Sequence, residues 1–138
     1  MPKMVLLASY VSIAGTDLSD RCSKIEVAVE VEEKDVTTFA SAGWKESVGG
    51  LASGTLALGL KQDYAAAELD ATMWPLFLTR TPQTFEVRAD NAIASANNPK
   101  WTGTVLIKEW KPLTGGVGDV AEVDVSWPTS GAVVRAVA

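Results

Sequence analysis

Residues 24–39, KIEVAVEVEEKDVTTF, alternate between apolar and polar side chains over much of their length. Branched apolar residues occupy the odd positions from Ile25 to Val31, whereas Glu26, Glu30 and Glu32 share the even positions. An alternation with period two is typical of a β-strand that buries one face. The stretch therefore predicts a strand with a row of glutamates on its second face, and what lies opposite those glutamates is the central question. An ordinary solvated face is one answer that the residues leave open.

Strand-like patterns recur along the rest of the chain, at residues 4–13, 51–61, 83–89, 100–111 and 120–127. The last two segments are separated by PLTGGVGD, residues 112–119, a glycine-rich turn that predicts an antiparallel hairpin between them. Within 120–127, the pattern predicts that Val123, Val125 and Trp127 point inward and that Glu122 and Asp124 point outward.

One segment, residues 65–79, has a helical pattern instead. Its apolar residues Leu69, Met73, Leu76 and Phe77 fall on a single stripe at the spacing of an α-helix. Pro75 removes one backbone hydrogen bond, so we expect the helix to kink or end near Trp74. Together the segments predict a mainly β protein, an antiparallel β-sandwich or barrel with one flanking α-helix and a long loop. The length favours a single domain over residues 1–138.

The long connection at residues 33–50 is a candidate contact element. A compact domain rarely keeps so long a loop without a use. Two aromatic residues, Phe39 and Trp44, lie among small and charged ones; they serve either as contacts with another molecule or as side chains tucked onto the core. The candidate contact residues are Lys34, Asp35, Phe39, Trp44, Lys45 and Glu46.

The composition excludes several classes of function. The formal net charge is −5, which argues against a basic nucleic-acid-binding surface. The chain has no histidine, so histidine-based catalytic triads and zinc sites are excluded. Cys22 is the only cysteine, which rules out an internal disulfide and favours a packed thiol. No apolar run approaches the roughly 20 residues of a membrane-spanning helix. We expect no cofactor, no metal and no enzymatic activity.

Two alternatives remain open at this point. The tryptophans could form the sugar-stacking face of a carbohydrate-binding β-sandwich, and Trp101 and Trp110 are the best candidates for exposure. Core packing is the simpler interpretation for Trp74 and Trp127. Alternatively, two of the many carboxylates could act together in a small hydrolase, although spacing in sequence does not establish a separation in space.

The order of these segments is more specific than any one of them. The chain resembles the major tail tube proteins of long-tailed, non-contractile bacteriophages over nearly its whole length. The resemblance lies in DLSD followed by DVTTF near the start, KQDY before the helix, and GDVAEVDVSWPTSG near the end.

This resemblance implies a structural virion protein whose hexameric rings stack into a tube that conducts phage DNA. It implies that the chain's main partner is itself, with the tape measure protein, the tail terminator and tail-tip proteins as further partners. It also implies synthesis in the bacterial cytoplasm and a final location in the tail tube. In the family the loop at the place of residues 33–50 commonly reaches the next ring. An acidic lumen would repel DNA phosphates, and the candidate lumen residues are Glu26, Glu30, Glu32, Glu122 and Asp124.

Overall fold

A computed structural model of the chain describes residues 4–66 and 68–138. The strands are β1 Tyr10–Ile13, β2 Thr16–Asp17, β3 Cys22–Asp35, β4 Ser47–Lys61, β5 Gln83–Arg88, β6 Lys100–Val105, β7 Glu122–Pro128 and β8 Val134–Ala136. The α-helix, α1, covers Leu69–Thr79, and short 3-10 helices cover Ser19–Arg21 and Phe39–Ser41. The predicted fold class, mainly antiparallel β with one helix, is confirmed.

The strands form two sheets whose facing side chains make the core. One sheet has the order β2-β1-β5-β6-β8 and the other has the order β3-β4-β7, with antiparallel pairing throughout. Alternate residues of β4 and β7 point inward as the sequence pattern predicts. The largest fully buried side chains include Trp127, Ile13, Leu56, Leu58, Leu60, Leu69 and Met73.

The helix covers one end of this core through the predicted stripe. Leu69 and Met73 are buried, and Leu76 and Phe77 pack against the core with part of their surface exposed. The helix does not end near Trp74, as one form of the prediction had it, because α1 continues to Thr79. Pro75 lies on the exposed side of the helix, where water can replace the lost backbone bond. Over the described residues, no helix is both long enough and apolar enough to span a membrane.

The predicted hairpin between residues 100–111 and 120–127 is wrong. Strand β6 ends at Val105 and pairs with β5 and β8, whereas β7 pairs with β4 in the other sheet. After Val105 the chain crosses to the edge of β7, where the Leu106 N–H donates to the Pro128 carbonyl at 3.0 Å. This crossing explains why residues 100–111 are apolar on two faces, since Ile107 and Trp110 are buried beyond the end of the strand.

The N-terminal strand and the long loop are both shorter than predicted. The first strand covers only Tyr10–Ile13 instead of residues 4–13. Strand pairing continues through Asp35 and Ser47, so the loop predicted at residues 33–50 is reduced to residues 36–46. Gly49 allows this close pairing, because a β-carbon there would lie 2.9 Å from Cγ1 of Val31.

Candidate functional site: a charged sheet face and a projecting hairpin

The outer face of the three-stranded sheet brings together residues that are far apart in the sequence. Glu26 pairs with Ala57, which pairs in turn with Ser126, so the even residues of β3 and β7 share the face that points away from the core. The five predicted residues on this face, all of them exposed, are Glu26, Glu30, Glu32, Glu122 and Asp124. We call this surface the charged face.

Three lysines on the charged face offset part of its negative charge. Lys34 forms an ion pair with Glu32 at 3.2 Å, and Lys61 forms one with Glu122. Lys24, which pairs with Gly59 across the strands, is the third. Among the described residues, the ion pairs do not include Glu26 or Glu30. The face is therefore mildly acidic, and two of its glutamates are free to interact with solvent or a passing ion.

The far part of the β3–β4 hairpin projects beyond the core. We call residues 29–53 the arm; it consists of the outer halves of β3 and β4 and the loop 36–46. Its apolar side chains are largely uncovered: Val29 is 63% exposed, Val31 is 59% exposed and Leu51 is 75% exposed. A two-stranded ribbon with uncovered apolar side chains gains little stability on its own, and such a patch usually marks a contact surface.

The two aromatic residues of the loop point into solvent. Phe39 is fully exposed and Trp44 is 79% exposed, so neither is tucked onto the core of this chain. The sequence left two alternatives open, contact with another molecule or packing onto the core. Exposed aromatic side chains are what contact with another molecule requires. The four charged candidates are also exposed: Lys34, Asp35, Lys45 and Glu46.

Local hydrogen bonds shape the loop although it lies away from the core. Thr38 and Ser41 form a reciprocal capping box around the short 3-10 helix. The backbone N–H of Thr37 donates to the Asp35 carboxylate at 2.8 Å, and that of Glu46 donates to the Thr37 hydroxyl at 2.8 Å. Hydrogen bonds from the Thr37 side chain and backbone lower the pKa of Asp35, because they stabilise the charged carboxylate. The loop is therefore shaped by hydrogen bonds among its own residues.

A second exposed apolar loop was not identified from the sequence. Residues 112–121, which we call the glycine loop, carry Leu113 at 82% exposure, Val117 at full exposure and Val120 at 68% exposure. The sequence interpretation treated the segment only as a turn. The available signal was the presence of three large apolar residues in and beside a glycine-rich run. An ordinary turn is polar, so these residues could have indicated an exposed apolar loop.

The tryptophans do not form the predicted sugar-stacking face. Trp110 is buried, and its indole N–H donates to the Asp70 carboxylate at 3.1 Å, so the prediction of its exposure is wrong. Trp101 is half-buried. Trp127 lies in the core as expected, whereas Trp74 is 43% exposed and stacks on Phe77. The two proposed sugar platforms therefore do not form a shared exposed surface.

The free cysteine lies outside the surfaces described above. Cys22 is half-buried and its thiol donates to the Lys24 carbonyl at 3.0 Å. Burial raises the pKa of this thiol, which disfavours the reactive thiolate. Within residues 4–66 and 68–138, no group of three histidine, cysteine or acidic residues is placed to hold a metal ion.

Comparison with known proteins identifies structural neighbours at low sequence identity. No protein-family model matches the chain, and no curated protein sequence matches it. A chain from the virion of a native gene transfer agent particle is similar with a TM-score of 0.70 and 17% identity, over 91% of this chain and 94% of that chain. A chain from the tail of an empty gene transfer agent particle with C6 symmetry is similar with a TM-score of 0.70 and 18% identity, over 93% of each. The chain thus shares its fold, over almost its full length, with a component of a six-fold symmetric tail.

Proposed function

We propose that this chain is a structural tail tube subunit that assembles into hexameric rings, and that the rings stack into a tube that conducts DNA. The observation that carries the proposal is the shared fold with a chain of a C6-symmetric tail, over 93% of both chains. The resemblance of the sequence to major tail tube proteins supports the same assignment independently of that comparison.

The open edge of β3 supports assembly into closed rings. In the three-stranded sheet β3 is an edge strand of 14 residues, paired on one side with β4. A long edge strand invites uncontrolled pairing with other chains. Ring closure removes the free edges, because the sheet of each subunit continues into the sheet of its neighbour. The edge is therefore better suited to a ring than to a free monomer.

The charged face supports a role as the wall of the lumen. It is exposed and mildly acidic, and its central positions carry small side chains such as Ala57, Ser53 and Ser126. An acidic wall repels phosphates, whereas a lysine-rich wall would release counterions and bind the DNA backbone. In this proposal Glu26, Glu30, Glu32, Glu122 and Asp124 face the passing DNA. The arm supplies contacts between rings through Phe39 and Trp44.

The remaining parts of the proposal follow from this role. The subunit has no enzymatic activity; its other partners are the tape measure protein inside the tube, the tail terminator at one end and tail-tip proteins at the other. It is made in the cytoplasm of the host bacterium and functions in the virion tail. These statements rest on the resemblance to tail tube proteins.

Electron microscopy of the purified protein tests the proposal. Negative-stain images of concentrated protein, alone and with a tail-tip complex added as a nucleus, are expected to contain rings or tubes. Subunit polymers along the tube axis use two different surfaces, so growth is open-ended once a ring exists. A protein that stays monomeric in both conditions, and that is missing from purified particles, would refute the assignment.

A further inference from the structure

The arm and the glycine loop lie at opposite ends of the three-stranded sheet. Strand β4 begins at Ser47, beside the loop of the arm, and ends at Lys61, which pairs with Glu122 at the start of β7. The glycine loop, residues 112–121, leads directly into that start. With a rise of about 3.3 Å per residue, the two ends of β4 are about 46 Å apart. The chain therefore exposes one apolar surface at each end of a single strand axis.

The glycine loop is held outward by contacts at its base. The Tyr64 hydroxyl donates to the Pro112 carbonyl at 2.6 Å, and the Gln62 side-chain amide donates to the same carbonyl at 3.1 Å. Within the loop, the Gly116 N–H donates to the Asp119 carboxylate at 3.1 Å. These bonds fix a loop whose apolar side chains are largely exposed, and fixed exposed anchors lower the cost of binding.

We propose that the loop of the arm, residues 36–46, contacts the glycine loop of a second copy of this chain in the next ring. The inference rests on the proposed function, since it requires stacked rings. A polymer that grows along one axis needs two different surfaces that fit each other at opposite ends of the subunit. These two loops meet that requirement: both are exposed, apolar and shaped by their own hydrogen bonds.

The charges next to the apolar residues are compatible with this contact. Lys45 follows Trp44 in the arm, and Asp119 precedes Val120 in the glycine loop. A lysine and an aspartate at the rim of an apolar contact steer the two surfaces together more than they add affinity. The aromatic side chains of the arm supply the large buried area that dominates such interfaces.

Cross-linking between two engineered cysteines tests the contact in assembled tubes. Cys22→Ser removes the native thiol, and Ala40→Cys with Thr114→Cys then places one exposed thiol in each loop without altering an apolar anchor. A short bis-maleimide is expected to link chain to chain through successive rings, giving a ladder of dimers, trimers and longer products on a denaturing gel. Each single-cysteine variant can link only two chains and is expected to stop at dimers.

A control pair distinguishes this contact from general crowding. Ala92 is exposed next to Ile93, which is 87% exposed, in the loop that joins β5 to β6 within the five-stranded sheet. Ala40→Cys with Ala92→Cys is expected to give no ladder. Tubes that form but give no ladder with the 40–114 pair, or an equal ladder with the 40–92 pair, would overturn the inference and leave the tube assignment intact. Failure of both the wild type and the Cys22→Ser parent to form any tube, alone and with a tail-tip nucleus, together with absence of the chain from purified particles, would overturn both.

An assembly assay gives a second, independent readout. Val117→Asp places a charge in the proposed contact, and Ile93→Asp places the same charge in the control loop; both positions are so exposed that folding is expected to be unaffected. We expect Val117→Asp to raise the protein concentration needed for tube formation by about tenfold or more, whereas Ile93→Asp leaves it unchanged. Equal effects of the two variants would contradict the contact.

Discussion

Replacing glutamates of the charged face by lysines is expected to make the assembled tube bind DNA, which the wild-type tube is expected not to retain. In the proposed hexamer, five acids and three lysines per subunit give the face a charge of about −12 per ring at neutral pH. Glu30→Lys brings this value to about zero, and Glu26→Lys combined with Glu30→Lys brings it to about +12. Only the double variant is expected to bind DNA strongly.

The structure predicts that these substitutions leave the subunit folded. Glu26 and Glu30 are exposed, and among the described ion pairs neither takes part in one. Exposed substitutions of this kind usually change stability by less than about 0.5 kcal/mol. Circular dichroism and urea unfolding of the variants should therefore match those of the wild type.

The assay measures retention of linear double-stranded DNA by assembled tubes as a function of salt. For the double variant we expect binding that weakens steeply between about 50 and 200 mM salt, because each neutralised phosphate adds close to one unit to the logarithmic slope. Asp20→Lys combined with Asp90→Lys is the matched control for the double variant, since both acids are exposed outside the charged face and the two double variants shift the net charge of the chain equally. Equal DNA retention by these two double variants, or none by Glu26→Lys combined with Glu30→Lys, would refute the assignment of the charged face to the lumen.

Three further predictions concern other parts of the molecule. Trp44→Ala should leave the urea midpoint unchanged and impair tube formation, whereas Ile93→Ala should do neither; an unfolded Trp44→Ala protein would place that side chain in the core. Trp127→Ala should lower the free energy of unfolding by about 3–5 kcal/mol. Trp127 is fully buried, and its indole N–H donates to the Glu109 carbonyl at 2.9 Å. A decrease below about 1 kcal/mol in urea unfolding would contradict that packing. The pKa of Asp35 is lowered in the folded loop. The ionised Asp35 carboxylate therefore contributes fully to loop order above the unfolded pKa of about 3.9. This contribution is lost as the pH falls through the lower pKa of the folded state. The protection factor of the Thr37 amide, which compares its exchange rate with the intrinsic rate at the same pH, should fall over that acidic window. A protection factor that changes in the same way in Asp35→Asn would contradict this origin.

The period of the apolar residues, two in strands and 3.6 in the helix, predicted the parts of the fold that are set by local burial. The inward positions of β4 and β7 and the apolar stripe of α1 could be identified because one face of each element packs on the core. Pairing between distant strands could not be identified in the same way. The strand-like patterns of 100–111 and 120–127 are equally consistent with a hairpin and with strands in separate sheets, and only the pairing of β6 with β5 and β8, and of β7 with β4, decides between them.

The candidate contact surfaces were predicted in part. Length and aromatic content identified residues 33–50, but the pattern did not reveal that β3 and β4 extend to Asp35 and Ser47 and leave apolar residues uncovered. In isolation, Val29 and Val31 have the same pattern as Ile25 and Val27, although the first two are largely exposed and the last two pack against the core. Burial at these positions depends on where the facing layer ends, which is a property of the tertiary structure.

A cryo-electron microscopy map of the assembled tube is the most direct test of the central claim. The account predicts hexameric rings in which the three-stranded sheet lines the lumen, with Glu26, Glu30 and Glu32 facing the axis. It also predicts that the arm of each subunit reaches the next ring. A tube with these three glutamates on its outer surface or buried between rings would contradict the lumen assignment, and particles without any ring of this chain would contradict the proposed function as a whole.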